Sequence, residues 1–179
     1  MARSDRYSLP MIVLHWLIAI LIVAAFSLGI VMTDMKISPT KLQYYSYHKW
    51  LGVTVLALVA VRLLARLLSQ VPGYPEHMSN WQKKAANYTH ILLYILMFAV
   101  PLSGYFYTSA AGYPVVYLGL FELPTLIAAN PELKNSLKEL HELLTNVMLG
   151  VVTLHLLAAL KHQFIDKDQL LRRMLPGRQ

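Results

Sequence analysis

Four long apolar stretches, separated by polar or proline- and glycine-broken connections, organise this chain. The first, Met11 to Met32, is 22 residues in which His15 is the only ionisable group, long enough to span a hydrocarbon core of ~30 Å. Its run exceeds the 7–15 residues of a signal-peptide core, so it reads as a transmembrane helix over 11–33. The second helix is expected over 48–68, after a polar connection that closes on Tyr44, Tyr45 and Tyr47, aromatics suited to a headgroup boundary. The third is expected over 85–107, with Pro101 and Gly104 kinking its exit. The fourth is expected over 136–164. Between the third and fourth, residues 108–135 are apolar but too often broken by Gly and Pro for a further span. They suit a segment lying in the interface over the mouth of the bundle. The fold class is therefore an all-α integral membrane protein, a four-transmembrane-helix bundle forming a single domain over 1–179.

The fourth helix carries the most telling pattern. His141, Met148, His155 and His162 recur every seven residues, and seven residues is nearly two turns, so each step drifts only about 20° around the axis. His141 and His155 lie on one stripe roughly 21 Å apart at 1.5 Å rise per residue, with no charge from Leu143 to Val152. Ionisable groups within a span are costly and mark function. Two on one face, one towards each side of the bilayer, point to two stacked metal centres. Met148 on the same stripe reads as packing, because methionine fills irregular gaps.

Composition narrows the metal. The chain is 56% hydrophobic and 14% charged, against about a quarter charged in soluble domains. It has no cysteine, which removes disulfides, iron–sulfur clusters and thioether-attached haem. A haem here must be a non-covalent b-type one. Zinc or copper has no support, since no closely spaced ligands such as H-x-x-x-H occur and no carboxylate lies near His155. Glu139 and Glu142 beside His141 suit a helix-start dipole or a supporting bond to a ligand.

The net charge of +7 does not point to nucleic acid, because the basic residues cluster at segment ends. Of the 16 Lys and Arg, eleven fall on the N-terminal lead, the second connection with its flanking helix ends, and the tail; five (Lys36, Lys41, Lys49, Lys134, Lys138) fall on the other side. The positive-inside rule then puts both termini in the cytoplasm.

Depth pairs the histidines. His15 opens the first helix from the cytoplasmic side and matches His155; His48 opens the second from the outer side and matches His141. Bis-histidine ligation leaves iron no open position, so such centres carry electrons, and a four-helix bundle places ligands on facing helices. Arg62 and Arg66, one turn apart at the cytoplasmic end of the second helix, either snorkel or neutralise haem propionates. His90 and His162 fall near the cytoplasmic boundary, as interfacial residues or as a quinone site where histidine supplies protons. His162 ranks above His90 because it continues the stripe. His77, in the second connection, is expected to be exposed and without a role.

The ordered set His15-Trp16, His48 with Gly52, V-R-L-L-A-R over 61–66, His90 with Tyr94, Pro101 and Gly104, Lys138 with His141-Glu142, and the tail from His162 through Phe164, Lys167-Asp168, Leu171, Arg173-Met174 and Pro176 resembles the prokaryotic cytochrome b561 family over nearly the whole chain. The resemblance implies a bacterial inner-membrane protein with two haem b groups held by His15, His48, His141 and His155. It also implies a superoxide:ubiquinone oxidoreductase, taking electrons from superoxide, releasing oxygen at the periplasmic face and reducing ubiquinone near His162. The five outer lysines would then attract the superoxide anion. One alternative is a cytochrome b subunit passing electrons between a partner dehydrogenase or hydrogenase and the quinone pool. Another is a haem transporter. Membrane lipid is the expected surroundings in every case.

Overall fold

The computed structural model describes residues 6–75 and 78–175; His77 and Pro176 of the sequence reading, with parts of the basic N-terminal lead and tail, lie outside them. Four helices, α1 (Leu9–Asp34), α2 (Pro39–Leu68), α3 (Asn80–Ala110) and α4 (Pro131–Phe164), make up most of the described chain. All four are long and apolar enough to cross a membrane. Large apolar side chains such as Ile20, Val23, Leu64, Ile95 and Leu154 face outward, the pattern of a bundle whose solvent is lipid rather than water.

The helices begin earlier than the hydropathy pattern suggested, and local chemistry accounts for α2, α3 and α4. α2 starts at Pro39, not near His48. Ser38 caps it by accepting from the Lys41 N–H at 3.2 Å, Pro39 occupies its first position, and Lys41 Nζ ties back to the Met35 carbonyl at 2.6 Å. Its 30 residues reach roughly 45 Å at 1.5 Å per residue, more than the hydrocarbon needs, so its tyrosine-rich first turns project beyond the apolar zone. α3 starts at Asn80, where the Gln82 side chain accepts from Ser79 N–H at 3.0 Å, and runs on past Pro101 and Gly104 to Ala110. α4 starts at Pro131 behind Asn130, whose side chain accepts from the N–H groups of Glu132 and Leu133, both at 3.0 Å.

The third connection is not irregular. It contains a small antiparallel hairpin, β1 (Val115–Tyr117) with β2 (Phe121–Leu123), in the register Val115↔Leu123 and Tyr117↔Phe121. Leu118 and Gly119 turn the chain at φ 53° and 73°. The hairpin is bolted to the N-terminal half of α2: Trp50 Nε1 donates to the Val116 carbonyl at 2.7 Å, and Thr54 and Tyr117 share a hydroxyl bond at 2.8 Å.

At the opposite end, Trp16 Nε1 donates to the Met174 carbonyl at 2.6 Å and Arg173 donates to the Gly73 carbonyl at 2.6 Å. These bonds gather the start of α1, the second connection and a 3₁₀ turn over Leu170–Met174 on one side. The core lies between the ends. Ile18, Val55 and Val59 form one cluster, and Leu96, Val100 and Met148 another. α4 packs along α3, and α1 along α2, whereas α4 makes little close backbone approach to α1 or α2.

Candidate functional site

Those two loosely packed interfaces are where the histidines face each other. His48 on α2 and His141 on α4 have ring centroids 6.2 Å apart, with planes at 89°. His15 on α1 and His155 on α4 are 6.4 Å apart, at 75°. Two imidazoles sharing one metal through metal–nitrogen bonds of about 2 Å put their centroids roughly 6.3 Å apart. Both pairs match that spacing.

The His48–His141 pair is also held in the right tautomer. His48 Nδ1 donates to the Ala25 carbonyl at 2.9 Å, and His141 Nδ1 donates to the Val100 carbonyl at 3.0 Å. A carbonyl can only accept, so Nδ1 carries the proton in each ring and Nε2 presents its lone pair, the usual way a protein orients a metal-binding histidine. Ser103 adds a second contact to His141 Nδ1 at 3.1 Å while donating its own hydroxyl to Val100 at 2.8 Å.

Glycine at 104 makes room for the His141 ring, whereas a side chain at Gly29 would only reach ordinary contact with His48. A Cβ at Gly104 would lie 3.0 Å from His141 Cε1, and one at Gly29 would lie 3.5 Å from His48 Cε1. Both histidines line a cavity of about 730 Å³, within the range of cofactor sites. The donors, their spacing, their tautomers and the cavity fit a bis-histidine haem.

Lys41, Lys49 and Lys134 line the same cavity. Lys49 also donates to the Pro114 carbonyl at 3.3 Å. Lys138 instead pairs with Glu142 at 3.4 Å, and Lys36 is not among the lining residues.

At the other end of the bundle a third histidine joins the His15–His155 pair. His90 on α3 lies 5.4 Å from His155, centroid to centroid. That is about 1 Å short of the bis-imidazole spacing estimated from metal–nitrogen bonds, so geometry favours His15 as the partner of His155. Arg62 is buried and donates to the Met11 carbonyl at 2.8 Å, with its charge bearing on both His15 and His155. A buried guanidinium held inward is not snorkelling. Arg66, one turn on, is half-buried.

His162, one stripe step past His155, is met at Nδ1 by Asp168 Oδ2 at 2.6 Å and Asp166 Oδ2 at 3.1 Å. Met148, the remaining stripe position, is buried against Leu96 and Val100.

Sequence reasoning missed Ser103, the Ala25 and Val100 carbonyls, and the spatial role of Gly104, which the pattern offered only as a kink. None of these carries a signal of its own; each matters only once α3 is seen against α4 or α1 against α2.

A sequence model of the prokaryotic cytochrome b561 family matches residues 6–177. The chain is 33% identical to cytochrome b561 homolog 2 of Escherichia coli K12, over 96% of this chain and 92% of the relative. It is 34% identical to cytochrome b561 homolog 1 of the same organism, over 97% and 99%. It is 31% identical to the probable superoxide oxidase CybB of Yersinia pestis, over 96% of each.

Proposed function

The chain belongs to the prokaryotic cytochrome b561 family of transmembrane electron-transfer proteins, and on that premise we propose that it oxidises superoxide at the periplasmic face and reduces ubiquinone near the cytoplasmic face of a bacterial inner membrane. In this reading His48 and His141 hold the outer of two b haems, and His15 and His155 hold the inner. Haem held by two imidazoles supplies one-electron transfer and leaves no coordination position for oxygen chemistry. Two superoxide anions each give up one electron and leave as oxygen; one ubiquinone takes both electrons and two protons to become ubiquinol.

The remaining work belongs to the protein's own side chains. The Ala25 and Val100 carbonyls fix the outer imidazoles. Arg62 supplies a positive charge at the inner pair, where a haem carboxylate would need one. Lys41, Lys49 and Lys134 place positive potential at the outer cavity, which draws an anion inward. His162 is the proton donor at the quinone edge. The orientation with both termini in the cytoplasm follows from the excess of Lys and Arg on that side.

One observation carries the reading. Two histidine pairs stand at metal-sharing distance, and their α4 members, His141 and His155, lie fourteen residues apart along that helix. The relative named as a probable superoxide oxidase supports the choice of donor. The test is steady-state ubiquinol formation by the purified protein under a constant superoxide flux. The reading expects one quinol for every two superoxide anions consumed, abolished by superoxide dismutase. Quinol formation that ignores dismutase, or none at all, would overturn it.

A further inference from the structure

Beyond His162 the helix ends and the chain doubles back. The Asp168 N–H bonds the His162 carbonyl at 3.2 Å, and Ile165 and Asp166 bond back to the Lys161 carbonyl at 2.8 and 3.0 Å. Lys167 and Gln169, on either side of Asp168, both take the left-handed conformation, at φ 54° and 60°, which is uncommon for residues other than glycine. This loop sets the Asp168 carboxylate against the ring. Its side chain is only 1% exposed; one oxygen meets His162 Nδ1 at 2.6 Å and the other accepts from the Leu170 N–H at 3.3 Å. Asp166 also approaches Nδ1, at 3.1 Å, but Lys161 engages both its oxygens at 2.8 and 2.5 Å. The three ligand-type side chains lie close enough to hold a cation, yet the Lys161 ammonium already fills that role for Asp166. The arrangement is that of a carboxylate orienting an imidazole.

We infer that Asp168 is a positioning residue for proton delivery to quinone, holding the proton of His162 on Nδ1 so that Nε2 is the atom that donates. The inference rests on the quinone-edge reading of His162. A carboxylate only accepts hydrogen bonds, so the neutral ring left after donation keeps Nδ1–H on Asp168. The opposite tautomer would set a nitrogen lone pair against a buried carboxylate. In the step itself the Nε2–H bond of the imidazolium breaks and an O–H bond forms on the quinone oxygen. The electrons come from superoxide, which leaves as oxygen, and water on the same face returns the proton to Nε2. The serine-protease Asp–His pair sets the scale, since loss of that carboxylate with geometry intact leaves the wrong tautomer and a severe fall in rate.

The test has two independent parts. Ring ¹⁵N shifts of His162 in the haem-loaded wild-type protein should show the Nδ1–H tautomer once the ring is neutral; an Nε2–H ring would overturn the inference without any variant. In Asp168→Asn, reoxidation of reduced haem by ubiquinone should slow by about tenfold or more, in line with the tautomer precedent. KM for quinone, haem content and the rate of haem reduction by superoxide should stay as in wild type, and Asp168→Glu should recover much of the loss. Unchanged reoxidation in Asp168→Asn, with His162→Gln slow, would overturn the inference and keep the quinone-edge reading. Unchanged reoxidation in His162→Gln would overturn both.

Discussion

The ring of His141 lies directly over Gly104, so close that a methyl group on residue 104 would sit 3.0 Å from Cε1 and 3.1 Å from Nδ1. Val100 and Ser103 of the same helix hold that ring at Nδ1, so it cannot back away from residue 104 without lengthening those bonds. Gly104→Ala should therefore displace His141 and weaken the outer haem selectively, with its share of bound haem falling by half or more while the inner absorbance persists. Haem-to-protein ratio and low-temperature optical spectra of the purified variant check this. Equal retention of both haems would show that the ring can move at little cost.

Ligand assignment turns on about an ångström. His141→Ala should remove the outer haem and His15→Ala the inner, each leaving much of the other. His90→Ala should leave both in place, because its 5.4 Å approach to His155 is too short to admit a metal bonded at about 2 Å to each ring. Loss of the inner haem in His90→Ala with retention in His15→Ala would reverse the assignment.

The α4 stripe was legible because His141, Met148, His155 and His162 repeat at a period close to two turns and no charge falls between Leu143 and Val152. Depth matching of His15 and His48 to that stripe needed only the order of the spans. The start of α2 was not legible: the run from Pro39 to Tyr47 is polar and aromatic because it rises beyond the apolar zone, and hydropathy registers the membrane rather than the helix. The hairpin escaped for a different reason. Its strands are three residues each, too short for an alternating pattern, and its turn places a leucine at positive φ. His90 could be placed by depth, but its contact with His155 depends on the rotation of α3, which a single sequence does not encode.

Arg62 is buried and anchored to Met11, so removing it strips the inner site of a fixed positive charge. Arg62→Ala should loosen the inner haem by on the order of 10- to 100-fold in affinity, the usual cost of losing an outer-shell partner, with the outer haem unaffected. Arg62→Lys should recover part of it. Competition for haem by a scavenging apoprotein, followed optically, gives the numbers.

The outer lysines should not count equally. Lys41 and Lys134 line the cavity, while the charge of Lys138 is offset by Glu142. Lys41→Glu with Lys134→Glu should lower the second-order rate of haem reduction by superoxide by about tenfold or more at low salt, and the deficit should shrink as salt rises. Lys138→Gln should change it little. Equal effects at all three positions would mean that overall charge, not the cavity, governs capture.

The central claim is that electrons enter from superoxide and leave to ubiquinone through two histidine-paired centres. Rapid mixing of the oxidised protein with a superoxide pulse tests it most directly. The account predicts fast growth of reduced haem absorbance, absent when superoxide dismutase is included and reversed on addition of ubiquinone. Haems that stay oxidised in the superoxide pulse yet accept electrons readily from ubiquinol would contradict it, and would mark the chain as the quinone-facing cytochrome of a different redox partner.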